Sequence, residues 1–101
     1  MQQNRHIYVS RKAVEKSAYD TLTKYDQVRQ PNVVAKLYNK KSKSYIDIKA
    51  DFLVPNDVQV KSLTESIRSD IKHNVEYFTE LPVRKLEVNV RDQKTAGQRV
   101  L

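Results

Sequence analysis

The chain has 101 residues, 39% hydrophobic and 31% charged, which allows one domain with a modest core and no second. Its 19 basic and 12 acidic residues give a net charge of +7, a broad pointer to an anionic partner: nucleic acid, acidic lipid or acidic protein. The absence of cysteine excludes disulfides, zinc–thiolate sites and thiol catalysis, and a single glycine, Gly97, leaves no glycine-rich loop to cradle a phosphate.

In chain order, the opening MQQNRHIYVS lacks the apolar core of a signal peptide. Apolar stretches elsewhere run only a few residues, far below the roughly 20 that a spanning helix needs. His6-Ile7-Tyr8-Val9 is a short β-prone run with Ile7 and Val9 on one face. Ser10 then offers a helix N-cap, because its hydroxyl can accept a free backbone N–H of the first turn. From Arg11 to Tyr25, the residues Val14, Ala18, Leu22 and Tyr25 recur at steps of four, four and three, one face of an amphipathic helix.

Pro31-Asn32 breaks that period. Residues 33–38 and 45–53 then alternate with period two, placing Ile46, Ile48, Ala50 and Phe52 inward and Tyr45, Asp47, Lys49 and Asp51 outward. The polar link between them is short enough for a hairpin. With its tip at Lys41-Ser42, Leu37 faces Ile46, Ala35 faces Ile48, Lys36 faces Asp47 and Tyr38 faces Tyr45. Every pair is chemically matched, which favours this register.

Pro55-Asn56-Asp57 stops the strand, and Asn56 or Asp57 caps a second helix. Val60, Leu63, Ile67, Ile71, Val75 and Phe78 form its apolar face, with Lys61, Glu65, Arg68, Lys72 and Glu76 on a solvated one. Leu81-Pro82 ends it, and residues 83–90 return to period two with Leu86, Val88 and Val90 inward. The expected fold is α+β: a two-layer β-α-β-β-α-β domain, one mostly antiparallel sheet with both helices on one face, in a split βαβ, ferredoxin-like arrangement. Residues 1–101 form a single domain on this reading, with an ordered core about 6–91 and residues 92–101 as a frayed tail.

Catalytic chemistry finds few candidates. His6 and His73 stand apart as surface histidines, and no spacing suggests a metal site. Asp47 and Asp51 share a strand face, but Lys49 lies between them, as expected of ion-paired surface carboxylates rather than an acid–base pair. The expectation is a non-enzyme with no catalytic, cofactor-binding or metal residues. The candidate anionic-partner or interaction patch is Lys36, Tyr38, Lys40, Lys41, Lys43 and Tyr45. Aromatic side chains among lysines on a sheet face admit an alternative, a small basic RNA-binding module. Against it, the aromatic octamer of RRM domains has no match here, and the GXXG loop of KH domains is impossible without internal glycines.

The stretch YIDIKADFLVPNDVQVKSLTESIRSDIKHNVEYFTELPVRKLEVNV, with HIYVSRKAVEKSAYDTLTKY before it, resembles the alkaline shock protein family of Gram-positive bacteria over roughly residues 6–90. The shared parts are an aliphatic strand (Ile46 to Val54), a polar break (Pro55 to Asp57), a regular helix (Val58 to Phe78), the turn Thr79-Glu80-Leu81, and a final strand from Val83 to Val90. Glu80 stands where the family's turn has glycine. In this it looks most like the cytoplasmic domain of the alkaline shock response membrane anchor proteins, where a transmembrane hairpin precedes such a domain. The resemblance implies a protein–protein interaction and assembly domain at the cytoplasmic side of the membrane, linked to cell-envelope stress, with no cofactor. Its implied partners are itself or a soluble alkaline shock relative, with an anionic membrane surface drawn by the basic charge.

Overall fold

The structure, a computed structural model, describes residues 9–40, 43–55 and 59–92. The elements run α1 (Arg11–Thr23), β1 (Arg29–Lys40), β2 (Lys43–Val54), α2 (Val60–Thr79) and β3 (Val83–Asp92). The α+β class and the two-layer build are those expected from the apolar periods. The expected opening strand falls mostly on residues 6–8, outside the described residues, as do the tail beyond residue 92 and the caps Asn56 and Asp57.

Helix α1 begins as its sequence requires. Ser10 is extended, and its Oγ accepts the Ala13 N–H at 3.1 Å. Val14, Ala18 and Leu22 are fully buried, and the buried Thr21 hydroxyl donates to the Ser17 carbonyl while accepting from Asn74 of α2. The two helices are thereby joined by a polar contact inside an apolar seam.

Strands β1 and β2 pair antiparallel in the expected register: Ala35 opposite Ile48, Lys36 opposite Asp47, Leu37 opposite Ile46, Tyr38 opposite Tyr45. The first strand starts earlier than its alternation suggests, at Arg29, because a register shift between Arg29 and Asn32 absorbs Gln30 at φ 51°. Pro31 is tolerated there because β1 is an edge strand with an irregular start.

The sheet is mixed. Its order is β1-β2-β3, and β3 runs parallel to β2 as its immediate neighbour, with Ile48 beside Leu86, Ala50 beside Val88 and Phe52 beside Val90. A split βαβ unit needs a strand between those two, so among the described residues the ferredoxin-like interleaving is replaced by a direct β2–α2–β3 crossover. The 20-residue helix α2 is long enough to return the chain to the start of the adjacent strand.

One core joins Val14, Ala18 and Leu22 of α1, Leu63, Ile67, Ile71 and Val75 of α2, and the inward positions of the sheet. Ile46, Ala50, Phe52 and Val54 are fully buried, so β2 is the centre of the molecule by burial as well as by order. Burying each large aliphatic or aromatic side chain stabilises by about 1.5–3 kcal/mol.

The apolar face of α2 is narrower than its sequence suggests. Val60 is 41% and Phe78 54% exposed, whereas Thr79 is buried. Thr79 lies four residues after Val75, so it continues the buried stripe as the helix turns. Its hydroxyl donates to the Val75 carbonyl and accepts the Leu81 N–H, closing the C-terminus. Glu80 follows at φ 62°, ψ 21°, and its N–H bonds the Glu76 carbonyl at 2.8 Å. This left-handed cap is the usual place of a glycine.

A candidate interaction surface on the open sheet face

Both helices cover one face of the sheet, and among the described residues the other face has no second layer. On that open face the charges alternate between strands: Lys36, Asp47 and Lys85 lie in one row, and Lys49 and Glu87 pair in the next. Opposite charges across neighbouring strands are favourable neighbours.

The hairpin end of this face is different. Tyr38 and Tyr45 pack with ring centroids 5.0 Å apart, and the Arg84 guanidinium lies 4.3 Å from the Tyr45 centroid and 5.6 Å from that of Tyr38. Arg84 Nε and Nη2 also donate to the two carboxylate oxygens of Asp47, at 3.1 and 2.6 Å. Those hydrogen bonds hold the guanidinium more firmly protonated than an ordinary arginine, with desolvation opposing and the Asp47 charge adding to the effect. A planar cation gripped by a carboxylate and resting on two rings is a rigid arrangement.

A break in β3 explains how Arg84 reaches that position. Val83 pairs with Ile46 and Lys85 with Asp47, so Arg84 is an extra residue opposite the single step from Ile46 to Asp47. The sequence carried a signal for it: Val83 and Leu86, both facing the core, are three residues apart in a period-two strand. Arg84 is the main site residue absent from the expected patch.

Of that patch, Tyr38 and Tyr45 come together as a packed pair, Lys36 lies opposite Asp47, and Lys40 lies directly opposite Lys43. Lys41 is outside the described residues. Lys40, Lys43, Ser44, Tyr45, Pro82 and Arg84 line one open groove. Arg84 lies over one face of the Tyr45 ring, so that face is not free to stack a base.

The two outer edges of the sheet are held by side chains from the helices. Glu15 Oε2 of α1 accepts the Ala35 N–H of β1 at 2.8 Å. On the opposite edge, Glu76 Oε2 of α2 accepts the Val83 N–H at 2.8 Å, and Arg68 donates to the Leu86 carbonyl at 2.6 Å. Arg68 and Glu76 are therefore not merely part of a solvated face. The Glu76 carboxyl is held below the usual range by its hydrogen bond from Lys72 and then by the Val83 N–H, with burial opposing.

Elsewhere, Tyr25 donates its phenol hydrogen to Asp70, fastening the segment after α1 to α2. Burial, that hydrogen bond and the Asp70 charge push the Tyr25 phenol up to about 12. His73 stacks beside Tyr77 on an exposed surface of α2, with centroids 6.4 Å apart. Among the described residues, no three His, Cys, Asp or Glu side chains are grouped to hold a metal, and no helix is long and apolar enough to cross a membrane. Asp47 is taken by Arg84 of the neighbouring β3, rather than by Lys49 on its own strand.

The fold is that of a small αββαβ domain, and it has solved counterparts. The metal-bound C-terminal domain of the CzcD transporter from Thermotoga maritima matches at a TM-score of 0.54 and 15% identity, covering 84% of this chain and 95% of that one. A triple variant of the MamM CTD and the nickel form of another variant match at 0.47 and 16% identity, over 80% of this chain and 93% and 96% of theirs. At such identities the likeness is one of fold. No family model and no curated protein matches the sequence.

Proposed function

We propose that this chain is a non-enzymatic interaction domain of a membrane protein, acting on the cytoplasmic side by associating with a second copy of itself. The observation that carries this reading is the fold likeness to the C-terminal domain of a transporter, which spans 95% of that domain. The surface supports it. Tyr77 and Phe78, adjacent at the end of α2, are 82% and 54% exposed, the two most exposed large apolar side chains among the described residues. In this reading they carry the self-association surface.

Strand addition is a poor route for that association, because Glu15, Glu76 and Arg68 already occupy backbone groups on both outer edges. In its finer form the proposal keeps the partner and setting implied by the sequence resemblance, a soluble alkaline shock relative in the cell-envelope stress response. An affinity pull-down tests both forms: tagged chain should retain untagged chain, and the finer form requires it also to retain the relative. Retention of neither at micromolar concentrations would refute the proposal.

A further inference from the structure

We propose that the groove at the turn end of the β1–β2 hairpin binds a phosphate-type oxyanion, supplied by the headgroup of an anionic phospholipid. Lys40 and Lys43 face each other directly across the hairpin. Like charges so placed repel, and among the described residues neither lysine has a carboxylate within salt-bridge distance. An anion seated between them converts that repulsion into two attractions.

Arg84 supplies the third cation of the same groove. A guanidinium has five N–H donors, and Asp47 takes one on Nε and one on Nη2. The two on Nη1 and the second on Nη2 are left for a ligand, in a plane already fixed by Asp47 and two rings. A donor fixed beforehand loses little freedom on binding. The groove thus sets three cations against one carboxylate that is already chelated.

The ligand class follows from this arrangement. Donors from two strands and a bulge line the same groove, which suits an oxyanion with several oxygens. The groove is open rather than enclosed, which suits a headgroup presented at a surface. Tyr45 on its wall has the amphipathic character favoured at a lipid–water boundary, and the net charge of +7 draws the domain toward an anionic leaflet. Choosing lipid as the source rests on the membrane-side reading above; the oxyanion chemistry does not.

Flotation with phosphatidylcholine vesicles, with and without phosphatidylserine, tests it. The chain should float only with the anionic vesicles, and K40A/K43A should weaken binding by about tenfold or more. The control K12A/K61A removes the same charge from exposed positions on the helices and should weaken binding far less. Equal losses in the two double variants would reduce the effect to net charge and overturn the site. In a second arm, NMR with inorganic phosphate should shift Ser44, Tyr45 and the Arg84 Nε–H. Those shifts without vesicle binding would overturn lipid as the source, and tighter binding to a single-stranded RNA would overturn it in favour of nucleic acid. Light scattering on the same samples separates the two proposals, because self-association without vesicle binding defeats this inference alone.

Discussion

Glu15 on the first helix accepts the backbone N–H of Ala35 on the edge strand, at 2.8 Å across 20 residues of sequence. That contact shows which backbone groups of β1 face outward. Opposed residues of an antiparallel pair alternate between hydrogen-bonded and non-bonded pairs, so Val33 and Leu37 also turn their N–H groups away from β2, to the outer edge of the described sheet. Removing the carboxylate uncovers the middle of that edge. Glu15→Ala should lower stability by about 1–2 kcal/mol and raise light scattering at high concentration through strand pairing. Scattering unchanged from the parent chain would show that Glu15 does not guard the edge.

Tyr25 gives the protein an alkaline limit. Its folded pKa, pushed up to about 12, lies above its ordinary value of 10.0. A raised pKa means that the protonated phenol is the form favoured by folding. Its contribution is whole below pH 10.0 and is lost as the pH rises through about 12. Thermal melts of the parent chain should therefore fall more steeply across that window than those of Tyr25→Phe, which should start lower at neutral pH. Parallel curves would remove Tyr25 as the cause.

Glu76 sets a limit on the acid side. Its carboxyl is held below the ordinary value of 4.5, so its stabilising effect is present above that value and is lost as the pH falls through the lowered one. Glu76→Gln should reduce the Tm at neutral pH and flatten the acid arm of the stability profile. A variant with the parent's acid arm would contradict the role given to its contacts with Lys72 and the Val83 N–H.

Glu80 occupies a left-handed conformation that costs a residue with a Cβ about 1–2 kcal/mol, although glycine loses more entropy on folding. Glu80→Gly should therefore stabilise modestly, by about 0.5–1 kcal/mol in a denaturant titration. A destabilised variant would mean that the glutamate side chain contributes more than the backbone conformation costs.

Much of this fold was legible because burial imposes a period. The hairpin register followed from Leu37 with Ile46 and Ala35 with Ile48, since a one-residue slip would have turned every inward side chain to solvent. Ser10 was readable because a cap is a local contact. The second neighbour of β2, the parallel β3, was not readable, because alternation says which face a strand buries and not which strand lies beside it. Phe78 was misplaced by a face drawn too wide, with Thr79 taking the buried position. The tyrosine–lysine patch came from composition along one hairpin, but its organising residue, Arg84, arrives from β3 through a bulge. The edge contacts of Glu15, Arg68 and Glu76 leave no periodic trace, because an exposed helix position looks the same whether its side chain meets water or a neighbouring strand.

Self-association is the central claim, and sedimentation equilibrium across a micromolar concentration series measures it most directly. The average mass should rise from 11.8 kDa toward that of a dimer, with the rise abolished in Y77S/F78S while the fold is retained. A mass constant at 11.8 kDa across the series would contradict it.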